Sequence, residues 1–190
     1  MLHRDIKPPN ILYFEETDQC KLCDFGVARQ YEVPRQLFSP EIGTLRYTAP
    51  EVNLGLRSYT AAIDMFALGL VFIELVTGAQ VFPKVTCHLE ELFRLFELMG
   101  TPDFTKFADL PEYCFLSDKF PRFKRKAVEG FWPQLSPLGY NLVIRMLEIN
   151  PEKRIIPKDA LKHEYFQEFL PKEELKGELI TGKTFKNFLN

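Results

Sequence analysis

Residues 60–77 carry Ile63, Met65, Phe66, Leu68, Leu70, Val71, Phe72, Leu75 and Val76, apolar side chains that fall on every side of a helical turn. A helix apolar all round cannot lie on a surface; other elements must pack around it. Ser58 and Thr60 offer caps at its start, and Gly78 a stop at its end. Its apolar run, residues 65–73, is far shorter than the ~20 residues that cross a bilayer. A mainly α fold built on one buried central helix is therefore expected. The 190 residues suffice for one domain with a sizeable core and are too few for two ordinary ones.

Around that helix the pattern is mixed. Residues 11–14 and 20–23 read as two short strands joined by the polar turn 15–19, a β-hairpin. Residues 27–59 are irregular, punctuated by Pro34, Pro40, Pro50, Gly43 and Gly55, and a segment that long without elements is usually functional. Leu89, Leu92, Phe93, Phe96 and Met99 predict a helix over 88–99 closed by Gly100. A proline-interrupted loop follows, then helices over 136–149 and 157–163 separated by Asn150-Pro151. Residues 171–190 are expected to form a polar, mobile tail.

Bulk chemistry excludes several roles. A net charge of -2 gives no electrostatic case for nucleic acid as a partner. Cys20 and Cys23 have metal-site spacing, but no second pair follows, and their apolar strand setting suits cysteine as a small hydrophobe. Cys87 and Cys114 fit a reducing compartment. The first residues show no apolar leader, so cytoplasm or nucleus is the expected location, with no membrane partner.

Chemistry concentrates at His3-Arg4-Asp5-Ile6-Lys7-Pro8-Pro9-Asn10 and at Asp24-Phe25-Gly26. Phosphoryl transfer to a hydroxyl needs a group that orients the acceptor, metal to neutralise charge, and a cation near the moving phosphate. Asp5 suits the first role, and Lys7 can reach the γ-phosphate. Asn10 and Asp24 offer the hard oxygen ligands that Mg²⁺ takes alongside phosphate oxygens. Gly26 allows the turn that aims Asp24. Taken singly, Asp5 reads as a turn residue, Asn10 as a cap and Asp24-Phe25-Gly26 as an ordinary turn. In this order and spacing, with Ala49-Pro50-Glu51 downstream, the set points to phosphoryl transfer with ATP and Mg²⁺.

These motifs resemble the C-terminal lobe of a eukaryotic protein kinase, most closely a cyclin-dependent serine/threonine kinase, over residues 1–170. Val81-Phe82-Pro83 and Leu98-Met99-Gly100-Thr101-Pro102 resemble phrases of that group. The resemblance implies a helical lobe with a short β-hairpin at the catalytic loop. It implies Thr44 as a contact of Asp5 and Lys7, Cys23 beside the nucleotide, and Asp64 as the anchor of the catalytic-loop backbone. Glu51 and Arg154 become a bracing ion pair, and Phe66 stands where relatives carry Trp. Ser39 falls on the activating phosphosite, with Arg4 and Arg29 placed to pair with a phosphate there; alternatively Ser39-Pro40 is simply a turn. Implied partners are protein substrates, a cyclin-type regulatory subunit and an upstream activating kinase.

Two departures matter. The group's usual Trp-Tyr-Arg before Ala-Pro-Glu is here Arg46-Tyr47-Thr48, with Gly43 ahead of Thr44, which weakens any expectation of proline-directed specificity. No Gly-rich loop and no Val-Ala-Ile-Lys strand occurs in the 190 residues, so the N-lobe is read as absent and the isolated chain as inactive. That leaves a non-catalytic lobe serving as a binding module as the alternative. An apolar face around Val71 and Leu75 is expected to be bare. Lys119, Arg122, Lys124, Arg125 and Lys126, interleaved with Phe120 and Phe123, read either as a dock for an acidic partner or as a solvated loop over aromatic anchors.

Overall fold

A computed structural model describes residues 1–30, 37–39, 42–104, 120–126 and 131–167. The expected tail at 171–190 and the end of the domain at 168–170 lie outside the described residues, as do Lys119 and Cys114. Six helices and one two-stranded antiparallel sheet form the regular structure among the described residues, and no helix there is long and apolar enough to cross a membrane.

The central helix, α2 (Ala62–Thr77), buries Ile63, Met65, Phe66, Ala67, Leu70, Val71 and Ile73. Thr60 Oγ1 accepts from the Ala62 amide at 3.2 Å, and Gly78, at φ 69°, closes the helix with its N–H on the Glu74 carbonyl. The expected bare face is half present: Val71 is buried and only Leu75 is exposed, one turn further along, where the packing ends. Helix α4 (Pro137–Met146), capped by Ser136 Oγ on the Gly139 amide, packs on α2 at Gly69. A Cβ there would sit 3.0 Å from Leu147 and Met146, so the absence of a side chain lets the two helices close up.

The short α1 (Pro50–Asn53) abuts α3 (His88–Met99), which turns Leu92, Leu95, Phe96 and Leu98 inward. Phe120 lies edge-on to Phe96 at 5.2 Å and near Phe93 and Phe104, so it anchors a segment whose Arg122, Lys124, Arg125 and Lys126 are exposed. Gly100, at φ 84°, admits this segment, because a Cβ there would lie 2.9 Å from the Arg125 amide nitrogen. Gly100→Ala is expected to cost about 1–3 kcal/mol, from backbone strain and that clash. Thermal denaturation checks it, since about 1 kcal/mol moves Tm by roughly 2–4 °C at this size.

The helix expected over 157–163 is instead two, α5 (Pro157–Ala160) and α6 (Glu164–Gln167). His163 breaks it by accepting at Nδ1 from the Tyr165 amide, which starts the second helix. The hairpin is formed by β1 (Ile11–Phe14) and β2 (Gln19–Leu22), with Ile11 opposite Leu22. The apolar setting expected around Cys20 and Cys23 is not enclosed: Leu12, Tyr13, Phe14, Cys20 and Leu22 are exposed and Cys23 is half-buried, because a two-stranded sheet has no second layer among the described residues.

Candidate active site

The loop before β1 is held by residues that follow it in the chain. Leu2 and Arg29 exchange backbone hydrogen bonds of 2.7 and 3.0 Å. Asp64, in the first turn of α2, accepts from the His3 amide and the Arg4 amide, each at 2.8 Å. Burial raises the Asp64 carboxyl above its ordinary range, and these two amides oppose the rise. Arg4 sits at φ 71°, a conformation costly for a residue with a Cβ, and the Asp64 bonds help hold it there. The His3 ring reaches the Cys23 carbonyl at 2.9 Å and lies 4.9 Å from the Phe25 ring, tying this loop to Asp24-Phe25-Gly26.

Asp5 stands at the centre. Its Oδ1 accepts from the Thr44 hydroxyl at 2.6 Å, and its Oδ2 meets the Lys7 ammonium at 2.8 Å and the Asn10 amide at 3.2 Å. Lys7 Nζ also donates to Thr44 Oγ1 at 2.8 Å. Burial works against the charge on Asp5, but Lys7, Thr44 and Asn10 together outweigh it and lower its pKa. Asp5 is therefore a carboxylate at neutral pH, able to accept a hydrogen bond from a hydroxyl and weak as a proton acceptor.

The same geometry bears on metal. Asn10 is buried in a short 3₁₀ turn (Pro8–Asn10), and its amide nitrogen donates to the Asp5 carbonyl at 2.8 Å as well as to Oδ2. Both of these side-chain bonds are made by the Asn10 nitrogen, and neither engages its side-chain oxygen. Asp24 is exposed, at φ 60°, and among the described residues its side chain takes the Gly26 amide at 3.3 Å. An amide oxygen and a carboxylate are hard-oxygen donors of the kind that Mg²⁺ takes alongside phosphate and water oxygens. No cluster of three or more His, Cys, Asp or Glu able to hold a metal occurs among the described residues. Cys23 donates weakly to the Pro9 carbonyl at 3.9 Å beside this set.

Ser39 is exposed, and a residue unnoticed in the sequence links it to the loop. Tyr59 donates to the Ser39 carbonyl at 2.8 Å and accepts from Arg4 Nη1 at 3.1 Å. Arg4 also donates to the Val27 carbonyl and stacks over Phe38. Arg29 stands on the same side, where its charge and that of Arg4 offset the rise that burial imposes on the Tyr59 hydroxyl. Among the described residues, the exposed Arg29 side chain bonds the Ala28 carbonyl.

Glu51 and Arg154 meet in the interior through two bonds, Nη1 to Oε1 at 2.6 Å and Nη2 to Oε2 at 2.9 Å. Arg154 also donates to the carbonyls of Ala62, Glu148 and Ile149, so all five of its donors are used. Its guanidinium lies over the Phe66 ring at 5.1 Å.

Two further polar clusters gave no signal in the sequence. Tyr47 donates to Glu74 at 2.5 Å and accepts from Gln80 at 3.1 Å; burial and the Glu74 bond push its hydroxyl up to about 12. Asn53 bonds the buried Glu91 at 3.2 Å. Both join residues far apart in the chain, where periodicity carries no information.

A carboxylate clamped by a lysine and a threonine beside two hard-oxygen donors has the make-up of a hydroxyl-directed phosphotransferase site. A family model described as the protein kinase domain matches residues 1–166. The chain belongs to the protein kinase family, whose members carry phosphate to protein substrates.

Proposed function

We propose that this chain supplies the catalytic loop and activation segment of a serine/threonine kinase of the cyclin-dependent type, with ATP as phosphate donor and Mg²⁺ as cofactor. The observation that carries this reading is the triangle of Asp5, Lys7 and Thr44, closed by contacts of 2.6, 2.8 and 2.8 Å. Asp5 orients the acceptor hydroxyl, Lys7 stands ready for phosphate oxygens, and Thr44 fixes the distance between them. Asn10 and Asp24 are the residues that would hold Mg²⁺, which supplies charge neutralisation on the phosphates when bound. Cys23 lines the nucleotide side. Residues 1–170 constitute the kinase portion in this reading.

The regulatory part of the proposal rests on Ser39. Its exposure, and its link through Tyr59 to Arg4 with Arg29 nearby, support a phosphosite whose modification adds charge beside two guanidinium groups. An upstream kinase would place that phosphate. A cyclin-type subunit, and a location in cytoplasm or nucleus, go with the same reading.

The test is a phosphotransfer assay with the full-length protein that carries these residues, supplied with Mg-ATP, on peptide pools differing only in a central Ser, Thr or Tyr. Ser and Thr peptides are expected to be labelled, and mass spectrometry of the kinase treated with its activator is expected to find phosphate on Ser39. Labelling confined to Tyr overturns the specificity. Absence of both labelling and Mg-ATP binding by calorimetry favours a non-catalytic binding module.

A further inference from the structure

We propose that Glu91, on α3, is a positioning residue: it engages Asn53, which reaches the Thr48 carbonyl, and so sets Thr44 against Asp5, making the alignment of the catalytic carboxylate depend on α3. Glu91 is 2% exposed, yet it is a carboxylate on a helix otherwise turned inward by Leu92, Leu95, Phe96 and Leu98. A buried carboxylate is costly unless partners hold it, so its contacts carry the information. Its Oε2 accepts from Asn53 Nδ2, and the same nitrogen reaches the Thr48 carbonyl at 3.4 Å. The Arg46 and Thr48 amides favour the charged form of Glu91 without making a hydrogen bond to it, so the link from Glu91 to the loop runs through Asn53. Thr48 Oγ1 in turn donates to the Thr44 carbonyl at 3.1 Å, and the Thr44 hydroxyl donates to Asp5. Four residues thus connect the interior of α3 to the catalytic carboxylate.

The same cluster is strained in a way that leaves it sensitive. Arg46 sits at φ 84°, and Arg46 Nε, Asn53 Oδ1 and Glu91 Oε1 are buried without hydrogen-bond partners. Among the described residues, the charged or titratable groups facing Glu91 are Arg46 of the loop and His88 of its own helix, 3.7 Å away; α1 presents the neutral Asn53. Burial pushes the Glu91 carboxyl up to about 7, against the opposing pull of Asn53, the two amides and Arg46. The ionised form is the stronger acceptor for Asn53 Nδ2, which also reaches the Thr48 carbonyl, and protonation weakens that hold. The loop is therefore held most firmly above neutral pH, and loosens as pH falls through this value.

The part of this inference that concerns turnover rests on the kinase reading; the structural part does not, and the experiment separates them. Threonine methyl groups labelled with ¹³C are followed by NMR in the whole protein from pH 5.5 to 8.5, an interval bracketing the stated value. Thr44 and Thr48 resonances are expected to shift together with one midpoint near 7 in the parent protein and in His88→Gln. They are expected to stay flat in Glu91→Gln, which keeps the shape of the side chain. Glu91→Asp, which restores the charge on a shorter arm, is expected to regain a titration. Flat Thr44 and Thr48 signals in the parent protein overturn the proposal, as does a titration that survives Glu91→Gln or disappears in His88→Gln. In the phosphotransfer assay, Glu91→Gln is expected to lose the acid limb of the kcat profile near neutrality; a limb unchanged by this substitution also overturns it. Total absence of phosphotransfer counts against the kinase reading alone, because the NMR result stands without it.

Discussion

Asp5→Asn is expected to lower phosphotransfer turnover by about 10²- to 10⁴-fold, the range associated with loss of a positioned acid–base group. The substitution keeps the shape and removes the charge. Oδ2 faces two donors, Lys7 Nζ and Asn10 Nδ2, while Oδ1 faces the Thr44 hydroxyl. An amide NH₂ turned toward Lys7 and Asn10 sets donor against donor. Turned the other way, it meets a Thr44 hydroxyl that already accepts from Lys7. Either arrangement disturbs the triangle, and neither restores the anion that an acceptor hydroxyl would address. KM for Mg-ATP is expected to change less than turnover, because Asn10 keeps its 2.8 Å bond to the carbonyl of residue 5 and the Asp24 side chain contacts Gly26 rather than Asp5. Steady-state kinetics alongside a melting curve settle the matter: parental turnover in a folded variant refutes the role given to Asp5. The pH dependence follows from the lowered Asp5 pKa. The stabilisation Asp5 gains from its partners is present above the ordinary aspartate range and is lost as pH falls through its lower folded value. An acid limb near pH 7 cannot come from Asp5.

The second large effect is on stability. Arg154→Met is expected to cost about 3–5 kcal/mol, because it leaves Glu51 charged, buried and alone. Both side chains are essentially sealed from solvent, so neither water nor salt can substitute for the missing partner. The loss is large against the roughly 5–15 kcal/mol that holds a domain of this kind together. The pair itself need not be favourable by the same amount. Replacing Glu51 as well by Met removes the orphaned charge, and the double variant is expected to recover part of the loss. Urea denaturation of parent, both single variants and the double variant measures the coupling. A midpoint unchanged in Arg154→Met contradicts the burial seen here.

The elements most legible in the sequence were those with a long period. Helix α3 falls on residues 88–99 as read, because five apolar positions at helical spacing end in Gly100. Helix α2 begins at Ala62, two residues into the expected span, since Thr60 acts as a cap outside the helix. Four-residue helices such as α1 and α6 are too short to show a period, and α1 was read as irregular chain. The hairpin falls at 11–14 and 19–22 against the expected 11–14 and 20–23, and its exposure lay beyond the sequence, because an apolar pattern says nothing of what covers it. For the site, local motifs brought Asp5, Lys7, Asn10 and Asp24 into view. Thr44, 39 residues from Asp5, came only through resemblance to a family. Tyr59, Tyr47 and Glu91 were invisible: each acts through a partner that sequence distance hides, and a single Tyr or Glu looks like any other.

The first turn of α2 has a consequence for how the molecule fails. Asp64 grips the His3 and Arg4 amides, and two residues earlier the Ala62 carbonyl accepts from Arg154, the partner of Glu51. One helical turn is thus the common fastening of the loop bearing Asp5 and of the segment ending at Glu51. Fraying there releases both at once, so heat or a nick near this turn should disable the site in a single event, with no half-assembled form in between.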